Sequence, residues 1–110
     1  GDYAEENGIP MMMHFAGTPV SMMANVHCAA ATQNFNAHEH HSVDIPWWED
    51  LVVGIDKPIV QDGHITVPDR PGLGIELNED VEKEHMKKGT KYLAPTDEWN
   101  TIDSADRLWS

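Results

Sequence analysis

The first 56 residues contain no lysine and no arginine. All seven fixed cations lie at Lys57, Arg70, Lys83, Lys87, Lys88, Lys91 and Arg107, against 19 Asp and Glu in the chain. The resulting formal net charge of -12 argues against nucleic acid and anionic membranes as partners, since both need basic patches. A single cysteine, Cys28, excludes an internal disulfide and points to a reducing, cytoplasmic compartment. No apolar run approaches the ~20 residues that cross a bilayer, and no signal-peptide pattern is read at the start. Internal repeats and low-complexity tracts are missing too.

What is present is a soluble composition, 40% hydrophobic and 24% charged over 110 residues, enough for one small domain. The cation-free segment holds acids and histidines. If it handles an anionic substrate, the compensating charge must come from a divalent metal or from chain not included here.

The opening "GDYAEENGIP" reads as a helix end over Tyr3 to Glu6, stopped by Asn7-Gly8. Without an initiator Met, it has the look of a piece of something longer. Ile9 to Phe15 is apolar without alternation. That pattern suits a parallel strand buried on both faces, with a buried helix segment as the other reading. Thr18-Pro19 supplies an N-cap and a first-turn proline for a helix to about Ala31, with Val20, Met23, Ala24, His27 and Ala30 or Ala31 on one stripe. Phe35 to Glu39 is a second strand. Strand–helix–strand belongs in an α/β layered or barrel fold.

The chain then changes character. Ser42 to Asp50 is a loop with Pro46 and the Trp47-Trp48 pair, read as packing the loop down. "KPIVQDGHITVP" predicts a hairpin about Asp62-Gly63. "LNEDVEKEHMKKG" predicts a helix capped by Asn78, with Lys87 and Lys88 in its last turn and Gly89 as its stop. Tyr92, Leu93, Trp99, Leu108 and Trp109 are the anchors of an irregular tail. A two-stranded parallel piece cannot cover both its faces by itself, a physical objection to autonomous activity.

His14 stands where the first strand stops and Glu39 where the second stops. In parallel α/β folds ligands bind at the carboxyl ends of strands. An imidazole can move a proton near neutral pH, and a carboxyl held neutral can donate a hydrogen bond to a developing oxyanion. On spacing alone, an ordinary hydrogen-bonded core histidine and an ordinary strand-end glutamate are the favoured reading. In "HEHH" an extended backbone points His38 and His40 to one face and Glu39 and His41 to the other. His38 and His40, with Cys28 or Asp44, form a weak zinc candidate, because no HExxH is present and zinc wants three or four ligands. The methionines read as core filling, Cys28 as an inert buried thiol, and the Gly72–Gly74 pair as no nucleotide loop.

One resemblance ties these segments together. "GIPMMMH", "TPVSMMANVHCAAAT", "FNAHE", "WWEDLV" and above all "VQDGHITVPDRPGLGIELNED" resemble the C-terminal end of the mandelate racemase branch of the enolase superfamily, from about Ala4 to Leu93. The closing "DRLWS" resembles the end of its acid-sugar dehydratase-like members. The resemblance implies the C-terminal fragment of a modified TIM barrel, (β/α)7β, plus the last segment of an α+β capping domain. Ile9–His14 becomes strand seven and Phe35–Glu39 strand eight. Residues 1–45 end the barrel, and 46–110 pack on barrel and cap.

It further implies abstraction of the proton alpha to a carboxylate, with His14 as general acid/base and Glu39 as hydrogen-bond donor to the enediolate. The substrate expected is a sugar acid, and the reaction dehydration, with racemase and cycloisomerase chemistry sharing both residues. Mg²⁺ belongs to the parent, its carboxylate ligands on strands absent from this chain, and no cofactor is expected for the fragment alone. A homo-oligomer or contact with the rest of the barrel is expected. Two rivals remain: a truncated homologue acting as a structural or partner-binding module, and a small metal-binding protein using the histidine cluster.

Overall fold

The computed structural model describes residues 1–42, 44–91 and 97. The tail anchors from Tyr92 to Trp109 and the "DRLWS" end lie outside the described residues.

A short helix α1 (Asp2–Glu6) ends at Asn7 and Gly8. Gly8 sits at φ 66°, a left-handed conformation that glycine adopts without steric cost. The chain turns into β1 (Met11–Met13), crosses through α2 (Pro19–Ala30), and returns in β2 (Phe35–His38). The strands pair in parallel, Met11 with Phe35, Met12 with Ala37 and Met13 with His38, with an irregularity between Met11 and Met12. Strand–helix–strand is thus observed, with strands shorter than the apolar runs that suggested them.

The expectation that β1 is buried on both faces does not hold in this chain. Met12 is 66% exposed, and Ile9 and Phe35 are exposed as well. A sheet of two strands has two free edges, and α2 can cover only one of its faces.

Helix α2 begins as read, with Thr18 at the N-cap and Pro19 in the first turn. The Thr18 side chain makes no capping bond; its carbonyl instead accepts from the Met22 amide and the Ser21 hydroxyl. The buried stripe is Pro19, Met22, Met23, Val26 and Ala29, rotated about one residue from the one expected. Met22 and Met23 are the larger apolar side chains and take the core, which leaves His27 partly exposed with its Nε2 3.3 Å from the Leu73 carbonyl. Cys28 is exposed, which corrects its reading as a buried thiol.

Phe15, Met22, Met23 and Val26 share one core with Trp48, Val52 and Ile59, so the segments before and after residue 45 are packed together. A 3₁₀ turn (Trp48–Leu51) leads into β3 (Val52–Val53), which pairs antiparallel with β4 (Glu76–Leu77). That pairing was not foreseen, since two-residue strands carry no periodicity. The hairpin around Asp62-Gly63 reduces to one bridge between Gln61 and His64. Its turn is as expected: Asp62 at φ 50° and Gly63 at φ 76° are both positive, as a type I′ turn requires.

Helix α3 (Glu79–His85) starts after Asn78, although the Asn78 side chain makes no capping bond. It stops at Met86, whose backbone is already extended (φ -58°, ψ 142°). Lys87, Lys88 and Gly89 therefore lie beyond the helix that they were expected to finish.

Candidate active site

Parallel pairing sets the geometry. Both carboxyl ends of β1 and β2 emerge at one edge of the sheet, and the next residues out are His14 and Glu39. The Glu39 amide still donates to the Met13 carbonyl at 2.9 Å, so the glutamate is anchored by the last rung of the ladder. His14 Nδ1 and Glu39 Oε2 are hydrogen-bonded. The Phe15 amide also donates to Oε2, at 3.2 Å. The other oxygen, Oε1, accepts from His41 Nε2 at 2.8 Å.

Three N–H donors on one carboxylate favour its charged form. The His41 hydrogen bond first, then the Phe15 amide and the His14 ring, pull the Glu39 pKa down from 4.5 to about 2. An ionised carboxylate only accepts, so the facing nitrogens must both carry hydrogen. His14 in its neutral form is then the Nδ1–H tautomer, with the Nε2 lone pair free. The side chains are open to solvent, His14 at 78% and Glu39 at 42%. The donor role expected of Glu39 needs a proton that the carboxyl of this chain does not hold at neutral pH.

Because the folded-state pKa is depressed, the stabilisation from these bonds is complete above pH 4.5 and is lost as pH falls through about 2. Carboxyl ¹³C NMR should give a Glu39 titration midpoint near 2. A midpoint in the ordinary range of about 4 would mean that the three donors do not act together.

The loop after β1 is pinned from behind. Trp48 Nε1 donates to the Gly17 carbonyl at 2.7 Å, and Ser42 Oγ donates to the same oxygen at 3.2 Å. A Cβ at Gly17 would lie 2.5 Å from Ser21 Oγ, so a side chain there would have to displace that hydroxyl. From α2, Asn25 Nδ2 donates to the His14 carbonyl at 3.1 Å. Trp48 is buried, as the packing reading expected, whereas Trp47 stacks on His85 with ring centroids 4.0 Å apart.

The other two histidines of the "HEHH" cluster point the other way. His38 and His40 lie against Phe15, with centroids 5.4 and 6.4 Å from it, and His40 also meets the edge of Trp48 at 5.1 Å. Burial first, and the neighbouring His40 charge second, push the His38 pKa down, while Glu39 pulls it up. The alternation read from "HEHH" is therefore the observed one. Among the described residues, no three His, Cys, Asp or Glu side chains are grouped as metal ligands. Both Glu39 oxygens already face nitrogen partners. That His14 and Glu39 stand at neighbouring strand ends was legible in advance. The part of His41 was not drawn out, although its place on the Glu39 face was the available signal.

The two strand-end side chains thus meet at one edge of a parallel α/β unit. The chain belongs to the enolase C-terminal domain-like family, which matches residues 1–81. It is 42% identical over 88 residues to the D-xylonate dehydratase of Haloferax volcanii, covering 80% of this chain and 21% of that protein. It is 32% identical to the arabinonate dehydratase of Saccharolobus solfataricus, over 80% of this chain and 23% of that one. Among solved structures, the mandelate racemase/muconate lactonizing enzyme-like protein of Rubrobacter xylanophilus superposes with a TM-score of 0.76 at 40% identity, over 82% of this chain and 23% of that one. The chain thus spans about a fifth of the length of the curated relatives it matches.

Proposed function

We propose that this chain is the C-terminal portion of a cytoplasmic acid-sugar dehydratase, in which the ends of barrel strands seven and eight carry His14 and Glu39. The observation that carries this reading is the contact between His14 and Glu39 across neighbouring parallel strands. The dehydratase names of the relatives support the reaction class. Residues 1–45 then close the barrel, and 46–110 pack on it and on the cap.

Dehydration of a sugar acid removes the proton alpha to the carboxylate and expels the beta hydroxyl. His14 can take that proton or return one to the departing oxygen, with its ring oriented in the parent by an Asp on strand six, outside this chain. Glu39 donates to the substrate carboxylate once it is protonated. Covering the mouth with the rest of a barrel, and placing an anionic substrate against it, both raise a carboxyl pKa. Superfamily members generally use Mg²⁺, which in the parent is held by residues outside this chain.

The 110-residue chain alone is expected to be inactive, because it brings one side of a site. Coupled assays with Mg²⁺ and a panel of aldonic acids should show no turnover above buffer; measurable turnover would contradict the half-site reading.

The exposed apolar side chains Ile9, Met12 and Phe35 favour a second reading as well, a truncated homologue whose sheet is covered by another chain or another copy. Light scattering separates the two readings. A well-behaved monomer counts against the module, and a stable oligomer supports it.

A further inference from the structure

We infer that Asn25 is a positioning residue: from α2 it fixes the peptide group between His14 and Phe15, and with it the spacing of the two strand ends. The inference rests on the reading of His14 and Glu39 as the working pair. It adds a residue on the helix, which neither strand supplies.

The β1–β2 ladder ends where the Glu39 amide meets the Met13 carbonyl at 2.9 Å. The next carbonyl, that of His14, takes its partner from outside the sheet: Asn25 Nδ2 donates to it at 3.1 Å. A trans peptide group is planar, and its C=O and N–H point in opposite directions. The N–H of this same group belongs to Phe15, and it donates to Glu39 Oε2 at 3.2 Å. One rigid plane is therefore held at both edges, by α2 on one side and by the Glu39 carboxyl on the other. Fixing the plane fixes the backbone at which β1 delivers His14. How the imidazole is turned about its own side-chain torsions is a separate matter.

The second Nδ2 hydrogen has His38 Nε2 as its neighbour, at 3.5 Å. That nitrogen accepts only in a neutral ring, the form that burial favours for His38. A single amide thus faces the end of β1 and the last residue of β2, next to Glu39.

The sequence of α2 supports a task beyond packing. In "PVSMMANVHCAA" asparagine is a weak helix former, since its amide competes for nearby backbone groups. The half-buried Asn25 amide is spent instead on the neighbouring strand end. Alanine or methionine, both used repeatedly in this helix, would serve packing alone.

The test compares Asn25→Leu, which keeps the volume, with Asn25→Gln, which keeps the amide on a longer stem. Cys28→Ser, at an exposed site on the same helix, is the control, and thermal melting checks that each variant folds. In this chain, hydrogen exchange at the Phe15 amide should quicken roughly 10-fold in Asn25→Leu, as one lost hydrogen bond allows, and less in Asn25→Gln. In the full-length parent, Asn25→Leu should lower kcat about 10–100-fold, the cost of a small misplacement, with KM little changed. Asn25→Gln should retain more of kcat than Asn25→Leu, and Cys28→Ser should match the parent. Unchanged Phe15 exchange in Asn25→Leu would overturn the inference. So would faster exchange with unchanged kcat in an active parent, or a leucine variant as active as the glutamine one, the order that packing alone predicts. A parent without turnover would overturn the dehydratase reading instead, while the exchange rates still decide whether Asn25 holds the peptide group.

Discussion

Replacing His14 by Asn in the full-length parent is expected to lower kcat by about 10²–10⁴-fold, the range that a lost general acid/base produces. Asparagine can still occupy the place between the β1 end and Glu39, and it can still donate a hydrogen bond to Oε2. It cannot change protonation state near neutral pH. The loss should therefore fall on kcat and kcat/KM together, with KM little changed, because the missing interaction belongs to the transition state. The side chain is 78% exposed in this chain, so no folding defect should accompany the change. Steady-state kinetics on the purified parent measure it. Near-normal turnover by the variant would remove His14 from the chemistry, whatever its contact with Glu39.

The second large effect is on stability. Trp48→Ala is expected to cost ~3–5 kcal/mol, as large aromatic truncations in a core do. Small domains have only ~5–15 kcal/mol in total. Trp48 is 4% exposed and packs in one cluster with Phe15, Met22, Met23 and Val52. Its truncation also leaves the Gly17 carbonyl with Ser42 as its remaining side-chain donor, at 3.2 Å. The milder Trp48→Phe keeps most of the packing and loses the indole N–H. It should cost ~1 kcal/mol, the net value of an ordinary hydrogen bond. Urea unfolding of the chain and both variants measures the order. A Trp48→Ala shift no larger than that of Trp48→Phe would mean that Trp48 does not hold the loop behind His14.

These two residues also show what was legible before the fold was known. His14 and Glu39 could be placed because the termini of apolar runs mark strand ends, and parallel strands send their ends to the same edge. Asp62-Gly63 could be placed because few dipeptides tolerate two positive φ values in succession. The role of Trp48 in pinning Gly17 spans 31 positions and has no local pattern. The buried stripe of α2 was misplaced by about one residue because Ala, Met and Val occur all round that helix, leaving the choice to the packing partners. The early stop of α3 was hidden for a similar reason: Lys87, Lys88 and Gly89 make a plausible helix end, but all three are exposed, and short helices need tertiary packing to persist. Met12 was expected to be buried because its apolar character reports what a strand can bury against, not whether the covering element belongs to the same chain.

The same point explains the state of Glu39. Its three donors are local and present, so the carboxyl is ionised. The burial that would return its proton must come from surfaces beyond the 110 residues.

The most direct test of the central claim is an assay of the full-length parent, loaded with Mg²⁺, against a panel of aldonic acids, following loss of water from each. The account predicts turnover of at least one sugar acid by the parent and none by its His14→Asn variant. A folded, Mg²⁺-loaded parent that dehydrates no member of the panel would contradict it.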